Sequence, residues 1–388
     1  MAQFPKVDIT ESGNSLGTVT PLQDGIPGLI LTVTPFSGIF EDGQPKQVFS
    51  LADAAALNID QDHNPFAYGQ LKHFYTGRNG AELWIMGVEN TVSMETAMDP
   101  TGNYAPKLID AAGGKLRLLG ISSNPAAPSA VANGLEGDAH AAVLKANTLA
   151  NEYRNHHKPF STIIDGRGFT GTPGDLTDYS QADYDSVSMF IGASEVGNTF
   201  SDMGTILGTL SRLPVQRKLS RKRNGSIPIS GASFTDGTLI DDQSAKFEPI
   251  TAKNYIHYRT RIGKPGYWLS TDSTLSQGDF STIANRRVMD KVRRLVYQVY
   301  DEWLDEEILV DSETGFIAEQ QVDQLRLDID NEINLQMTAK GEASGFTAFI
   351  DPAQNVLATG EIRIQIQPTP VAYASRFNID VAFNNPFK

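Results

Sequence analysis

The sequence contains no cysteine, and this absence removes several kinds of function at once. Without thiols, the chain has no disulfide framework, no thiol catalysis and no cysteine-ligated zinc or iron–sulfur site. Runs of 18 consecutive apolar residues are also missing, and the N-terminal MAQFPKVDITESGNS has no basic stretch followed by an apolar one. We therefore expect no membrane insertion, no signal peptide and synthesis in the cytoplasm.

Positive charge is scarce. Lysine and arginine number 32 against 46 acidic residues, so the formal net charge is −14. Binding to nucleic acid generally requires a positive face for the phosphates, and we therefore expect no direct nucleic-acid partner. At 388 residues, with 40% hydrophobic and 20% charged residues, the composition is that of a globular chain. This length is enough for about two or three domains, each with its own core.

Signatures of catalysis and of metal binding are weak or missing. The six histidines include no HExxH pair, and no serine lies in a G-x-S-x-G turn. GRGFTG, residues 166–171, matches G-x-G-x-x-G after a predicted strand, but TPGDLTDY follows it. A dinucleotide-binding helix has to begin inside that motif. We interpret the motif as a wide loop and predict no catalytic, cofactor-binding or metal-ligating residues.

Apolar strands alternate with helix-compatible segments through the first two thirds of the chain, a pattern typical of α/β layering. Residues 1–26 are polar and are predicted to form an N-terminal arm. Strands over 28–36, 81–88 and 115–122, with a short helix over 50–59 that Ser50 caps, predict an N-terminal α/β domain over 27–125. Helices over 139–155 and 203–216, with strands at 161–169 and 186–194, predict a middle α/β region over 126–278.

The last third has a different pattern, with long helices before strands. Helices are predicted over 283–309, the longest, and over 319–341, where Gly341 ends the second. FTAFID and GEIRIQIQ predict strands, which gives a C-terminal α+β domain over 279–367. Residues 368–388 are predicted to be a C-terminal arm, in which Phe377, Ile379, Val381 and Phe383 share one face of an alternating strand.

Two charge patterns need an explanation. QRKLSRKR, residues 216–223, has five cations in eight residues, which suits either an exposed loop or a docking patch for an acidic protein surface. The long helix has cations in its first turns and acids at its end, which is the reverse of what the helix dipole favours. That arrangement suits head-to-tail contact with copies of itself or docking on an acidic partner, or else it is screened by solvent and neighbouring elements.

Three stretches resemble contractile tail sheath proteins. GYWLSTDSTLSQGDFSTIANRRVMDKVRRLVYQVYDEWL (266–304), the second long helix and GEIRIQIQPTPVAYASRFNIDVAF (360–383) are similar to the C-terminal domain of that family. TILGTLSRLPVQRKLSRKRNG (205–225) is similar to the segment before that domain in the Mu-like phage and prophage branch. The resemblance covers roughly residues 200–388, and the first half only loosely.

The resemblance implies a fold class: α/β and α+β, in a multidomain sheath subunit with an α/β N-terminal domain, an α+β C-terminal domain and extended terminal strands that pair with neighbouring subunits. It implies a homo-oligomer whose hexameric rings stack as a helical polymer around an inner tail tube protein and contract to drive the tube through a target envelope. Baseplate and tail terminator proteins are the further partners, and no cofactor is implied. The expected location is the virion tail, assembled in the cytoplasm of a bacterial host.

The resemblance also assigns residues to two kinds of contact. The intersubunit arm strands are KVDIT near the N-terminus and the last alternating stretch, with side chains Val7, Ile9, Phe377, Ile379, Val381 and Phe383. The candidate tube contact is the basic start of the long helix, with Arg286, Arg287, Lys291, Arg293 and Arg294. Two alternatives stay open, namely another structural protein such as a baseplate or tube-end subunit, and a cytosolic α/β nucleotide-binding enzyme that uses GRGFTG.

Overall fold

The structure is a computed structural model that describes residues 23–76, 78–195, 197–375 and 377–379. Its strands are β1 (Pro27–Thr32), β2 (Pro45–Val48), β3 (Leu83–Val88), β4 (Leu118–Ser122), β5 (Val131–Ala132), β6 (Leu135–Glu136), β7 (Ser161–Asp165), β8 (Asp183–Tyr184), β9 (Val187–Phe190), β10 (Gly192–Ala193), β11 (Ser233–Phe234), β12 (Tyr255–Ile256), β13 (Tyr258–Arg261), β14 (Lys264–Leu269), β15 (Leu275–Ser276), β16 (Gly345–Ile350) and β17 (Ile364–Thr369). Its helices are α1 (Leu51–Ala55), α2 (Pro65–Tyr75), α3 (Met94–Ala97), α4 (Ala105–Ala111), α5 (Gly137–Asn155), α6 (Met203–Arg212), α7 (Ser244–Ala252), α8 (Ile283–Asp301), α9 (Glu319–Ile333) and α10 (Val356–Thr359).

A seven-stranded sheet organises the first two thirds of the described chain, in the order β12-β9-β7-β4-β1-β3-β2. Its strands pair in parallel except β2, which runs antiparallel to β3 at one edge. Strands of residues 27–125 and of residues 126–278 therefore belong to one sheet, and the predicted boundary between these regions lies inside it. That division stays a prediction, whereas the mixed α/β and α+β fold class is confirmed.

Helices cover both faces of the sheet. Gly28 on β1 pairs with Leu119 on β4, the neighbour of Gly120, so the two glycines point to opposite faces. A Cβ added to Gly28 would lie 3.3 Å from Leu108 of α4, and one added to Gly120 would lie 2.6 Å from Leu207 of α6. The two glycines thus leave room for a helix on each face of the sheet, and the result is a three-layer α/β unit.

Helix α6 packs closely against α2, because glycine occurs where the two backbones approach. A Cβ on Gly204 would clash with the carbonyl oxygen of Gln70, and one on Gly208 would lie 2.9 Å from that of Phe74. The amide of Gln70 completes the contact, since its Nε2 donates to the Ser201 carbonyl over 3.0 Å and its Oε1 accepts from the Gly204 N–H over 2.9 Å. The spacing of the helices is therefore fixed by backbone contact.

Most predicted elements are confirmed, with shorter bounds. Ser50 caps α1 as expected, since its hydroxyl accepts the Asp53 N–H over 3.2 Å. The long helix is shorter than predicted: it ends at Asp301, and Asp305, with φ of +61°, lies beyond it. Three of the acids placed at the end of this helix, Asp305, Glu306 and Glu307, therefore lie outside it, and the predicted charge-reversed helix is wrong in its acidic half.

The C-terminal unit packs two helices against a two-stranded sheet. Its core combines Val288 and Val292 of α8 with Ile329 and Ile333 of α9, and the strands β16 and β17 pack against it. The second predicted helix divides into α9 and a π-helical turn, Asn334–Thr338, after which Gly341 has φ of +69°. Within the described residues, no helix is both long and apolar enough to cross a membrane.

A buried ionic cluster joins this unit to the rest of the chain. We use this name for Asp24, Arg287, Lys291, Arg294 and Glu342. The Lys291 ammonium lies 2.6 Å from Asp24 Oδ2 and 2.7 Å from Glu342 Oε2, and Arg294 pairs with the other oxygen of Asp24. Arg287 donates to the carbonyl oxygens of Asp24 and Leu213, over 3.0 and 3.1 Å. Helix α8 is thereby bonded to the segment before β1, the end of α6 and the loop after the π-helical turn.

Electrostatics set the charge state of the cluster. Burial by itself would raise the pKa of Asp24, but Arg294 and Lys291 outweigh it and lower the pKa to about 2. Burial lowers the pKa of the Arg287 guanidinium, against the attraction of Asp24, Asp272 and Glu342. Charges withdrawn from water in this way are stable only with their partners in place.

Replacing Gly204 by Ala is expected to lower the free energy of unfolding by about 1–3 kcal/mol, because the new methyl group overlaps the Gln70 carbonyl. Gly69→Ala in α2 is the control, since nothing lies within 4 Å of its Cβ position. It should raise the free energy by about 0.5–1 kcal/mol through helix propensity. Urea unfolding followed by circular dichroism measures both, and equal effects would contradict the close-contact explanation.

Asp24→Asn is expected to lower the free energy of unfolding by about 2–4 kcal/mol at pH 7, because it leaves buried cations without a carboxylate. The pKa of Asp24 is lowered from 3.8 to about 2, so its contribution is complete above pH 4 and is lost as the pH falls toward 2. The difference between variant and parent should narrow over that range.

Asp323→Asn provides the comparison for that variant. Asp323 pairs with Arg326 over 2.8 Å, but both side chains are about half exposed, at 52% and 48%. An exposed pair contributes about 0.2–1 kcal/mol. If urea unfolding at pH 7 gave the same loss for both variants, the stabilising role of the cluster would be refuted.

Candidate subunit interface

The two-stranded sheet of the C-terminal unit has unpaired edges within the described residues. β16 and β17 pair antiparallel, from Gly345 with Thr369 to Ile350 with Ile364, and no described strand lies beyond either. Along β17, isoleucines that are half-buried alternate with exposed glutamines. A sheet of two strands has little stability by itself, so this one depends on the helices that pack beneath one face. The unpaired N–H and C=O groups at its edges are available to a further strand.

An apolar groove runs between β17 and the second half of α8. It comprises two adjoining clefts of about 510 and 640 Å³. The side chains that line both clefts are Val296, Tyr300, Leu304, Ile364 and Ile366. Leu304 is 69% exposed, and Leu357 at the far end of the groove is 74% exposed. Large apolar side chains at such exposure, gathered along one groove, are typical of a binding surface.

Sequence reasoning predicted the strand that borders this groove but missed the groove itself. The alternation of Ile362, Ile364 and Ile366 indicates one apolar face, but the sequence alone does not show that the second half of α8 lies beside it. The signal that could have revealed it is Leu304, an apolar residue in the acidic segment DEWLDEE, where a helix stripe has already ended.

The predicted arm residues lie partly outside the described chain. Val7, Ile9, Val381 and Phe383 are outside the described residues. Phe377 and Ile379 are described, and their exposed fractions are 77% and 76%. Neither is in a strand, and the last strand that the structure describes ends at Thr369. Pairing of these side chains with a neighbouring subunit stays a prediction.

Tyr373 holds the start of the predicted C-terminal arm against the main body. Its hydroxyl donates to the carbonyl of Gln216, and its ring lies 4.4 Å from the Lys218 ammonium. Burial, with a further contribution from Asp272, raises the pKa of Tyr373 to about 12, so the hydroxyl keeps its proton. The arm therefore leaves the subunit beside the segment that follows α6.

The cations predicted to contact a tube lie mostly inside the subunit. Arg287, Lys291 and Arg294 belong to the ionic cluster, and Arg286 pairs with Asp290 and Asp185 over 2.7 and 3.0 Å. Arg293 differs: it is exposed, and its guanidinium donates to the Arg154 carbonyl over 3.2 Å. The structure thus brings four of the five predicted residues together with internal partners. Asp290 is one helical turn from Arg286, and the other partners lie far away in the sequence.

The glycines of GRGFTG have structural explanations. A Cβ on Gly166 would lie 2.8 Å from the Phe190 carbonyl oxygen, and Gly168 and Gly171 have φ of +61° and +80°. The interpretation as a loop is confirmed, because only a 3₁₀ turn at Pro173–Asp175 follows before strand β8. No helix N-terminus is present there to hold a pyrophosphate.

Charged side chains around this loop form a network of their own. Asp165 is fully buried at the end of β7, where its carboxylate accepts N–H bonds from Ser201 and Ser123 over 2.7 and 3.3 Å. Burial raises the pKa of Asp165 to about 6, against the attraction of Arg167. Arg167 in turn pairs with Glu136 over 3.2 Å. Across the described ranges, no group of three His, Asp or Glu side chains is arranged to hold a metal ion.

The whole described fold is similar to those of contractile injection system proteins. A chain of the helical sheath of the anti-feeding prophage, contracted state, aligns with a TM-score of 0.65 and 16% identity, over 99% of this chain and 100% of that chain. A chain of its baseplate structure gives 0.66 and 14%, over 99% and 100%. The PVC sheath complex of an extracellular contractile injection system, contracted state, gives 0.63 and 12%, over 100% and 99%. At these identities the likeness shows a shared fold.

Sequence comparison divides the chain into two parts. No curated protein is significantly similar to it in sequence. Residues 4–273 match the family described as DUF2586, N-terminal domain, and residues 279–388 match DUF2586, C-terminal domain. The two matches together extend over nearly the whole sequence, and the chain therefore belongs to the DUF2586 family.

Proposed function

We propose that this protein is the subunit of a contractile sheath, which polymerises as stacked hexameric rings around an inner tube and shortens to drive that tube through a target envelope. The observation that carries the proposal is the likeness of the fold, over the full length of both chains, to the contracted sheaths of two injection systems. The resemblance of residues 205–225 to Mu-like sequences extends the proposal to a phage or prophage tail.

The sheet edge and the apolar groove support this function. A strand from a neighbouring subunit that pairs with an edge of the β16–β17 sheet would gain backbone hydrogen bonds at every second residue. Alternate side chains of that strand would enter the groove beside Tyr300 and Leu304. Phe377 and Ile379 have the spacing and the apolar character that such a strand requires, and they are exposed in the single chain.

Arms that exchange strands also suit a lattice that changes length. Backbone hydrogen bonds between an arm and a neighbouring sheet would keep two subunits linked while the rest of each subunit rotates. The start of the arm is held on its own subunit by Tyr373. The energy for shortening would be conformational, held in subunit contacts, so the proposal assigns neither nucleotide nor metal to the protein. An inner tube, a baseplate and a terminator remain the proposed partners.

Contact with an inner tube is proposed to involve Arg293. The other four cations of α8 have internal partners, and opening such a buried pair by removing one member costs about 3–5 kcal/mol. Arg293 is exposed beside the groove and is not in an ion pair with a described residue. The proposed tube contact therefore includes one of the five cations that the sequence predicts.

The likeness to a chain of the anti-feeding prophage baseplate favours a second candidate, a baseplate subunit. The two candidates differ in self-polymerisation. A sheath subunit forms hollow, striated tubes from the purified chain or with tube and baseplate present, whereas a baseplate subunit stops at a ring or a smaller complex.

Phe377→Asp combined with Ile379→Asp is expected to abolish tube formation without changing the stability of the single subunit. In the subunit both side chains are exposed, so the free energy of unfolding should stay within about 0.5 kcal/mol. In a strand beside the groove, two carboxylates would be buried, and the concentration needed for assembly should rise by about tenfold or more. Negative-stain electron microscopy and urea unfolding measure the two quantities.

Ala374→Asp combined with Asn378→Asp is the matched control. Both residues are exposed, and they fall on the opposite face of the alternating stretch. The control should assemble like the parent chain, whereas a version that lacks residues 1–20 should not. Equal loss with both pairs of substitutions would refute an arm strand with one inward face, and compact particles from the intact chain with all partners present would refute the sheath.

A further inference from the structure

A basic cleft lies on the main body where the C-terminal arm begins. It measures about 970 Å³ and is lined by segment 216–222, strand β13, residues 371–375 and Phe377. The cations that line it are Arg217, Lys218, Arg221, Lys222, Arg259 and Arg261. Within the described chain none of these side chains lies within 4 Å of a carboxylate.

Among the described residues, one acid lines the cleft, and its carboxylate is bonded to backbone N–H groups. Asp272 is buried, and its carboxylate accepts N–H bonds from Leu219 over 2.8 Å and from Ala284 over 2.9 Å. It therefore holds the basic segment against the start of α8. Six cations thus line the cleft with one carboxylate, and none of them forms an ion pair with a described residue, in a chain whose net charge is −14.

An acidic segment lies at the other end of α8. Between Arg294 and Arg326 the sequence has nine acidic residues and no lysine or arginine. The seven acids of residues 301–313 are all exposed, and none of them is in an ion pair with a described residue. Leu304 and Leu309, both nearly 70% exposed at 69% and 68%, lie among them. The segment combines negative charge with apolar contact area.

Helix α8 keeps the two charged regions apart. Its first turn meets Asp272 below the basic cleft, and its last residue, Asp301, begins the acidic segment. A helix of 19 residues is about 28 Å long. That distance exceeds the Debye length of about 8 Å at physiological salt several-fold, so the regions cannot neutralise each other within one subunit.

We propose that the basic cleft of one subunit binds the acidic segment 301–313 of a second copy of this chain. The two surfaces differ, so the contact is head-to-tail and propagates instead of closing after two subunits. A nucleic-acid occupant is disfavoured, because the rest of the surface carries an excess of acidic residues that would repel phosphates. The contact is distinct from strand exchange by the arms, because it is made by charged side chains of segment 216–222, strand β13 and residues 301–313, and no arm residue supplies a charge to it. The start of the arm lines the cleft, and Leu304, Asp305 and Glu306 also line the apolar groove, so the charge exchange below is the result that separates the two contacts.

A charge exchange tests the proposal on the full-length protein. Arg221→Glu with Lys222→Glu reverses the cleft, and Glu306→Lys with Glu307→Lys reverses the segment; all four residues are exposed. Each double variant alone should weaken self-association by about tenfold or more, because like charges then face each other. The quadruple variant, and an equimolar mixture of the two double variants, should restore it to within about threefold, because opposite charges again face each other.

Sedimentation velocity at low and high salt measures the association, and the parent chain should lose it as salt rises. Lys107→Glu with Lys115→Glu makes the same change of net charge on exposed residues elsewhere, and it should leave association unchanged. Circular dichroism confirms that each variant is folded.

Three results would overturn the proposal: no salt-dependent association of the parent, a loss that the quadruple variant does not recover, or equal loss in the Lys107/Lys115 control. Binding of duplex DNA that only the cleft variant loses, with self-association unaffected, would identify a nucleic-acid site instead. The outcome is independent of the sheath proposal, since striated tubes that tolerate both double variants would leave the sheath in place and remove this contact.

Discussion

The fold depends on one constraint, which is that charges withdrawn from water must have partners. Lys291 is buried between Asp24 and Glu342, and these residues come from opposite ends of the described chain. The pairing holds the segment before β1, the longest helix and the loop after the π-helical turn in one arrangement. Two apolar surfaces could slide past each other at little cost. The Lys291 ammonium cannot move in this way, because it lies 2.6 Å from one carboxylate oxygen and 2.7 Å from another. The cluster thus fixes how the C-terminal unit is oriented on the sheet.

Local patterns were predictable from the sequence because their causes are local. The alternation of Ile364 and Ile366, the cap at Ser50 and the apolar runs of β1 and β4 each depend on residues within a few positions. The end of the long helix was predicted too late, because its acidic continuation is compatible with a helix and the turn depends on tertiary contacts such as that of Trp303 with Asp328.

The candidate interface was predictable only in part. An arm with an apolar face follows from period two in residues 377–383. The surface proposed to receive it combines α8 with strand β17, which lies more than 60 residues later, and no sequence period connects the two. The sequence predicts an external partner for the cations of α8 because most of their internal partners are distant in the sequence, such as Asp24, which lies 267 residues from Lys291. Unfavourable charge at a helix terminus indicates that a partner exists, without indicating whether the partner is inside or outside the subunit.

The contact of Tyr373 with Gln216 has a mechanical consequence. Any tension applied to the chain beyond Tyr373 reaches segment 215–218 first, and the β16–β17 sheet only through the short connection from Thr369. Val215 belongs to the core of the C-terminal unit, and Gln216 donates to the Gly341 carbonyl over 3.1 Å. A force on the arm would therefore act where the C-terminal unit contacts the part of the chain that contains the seven-stranded sheet. A small displacement there changes the orientation of one part relative to the other.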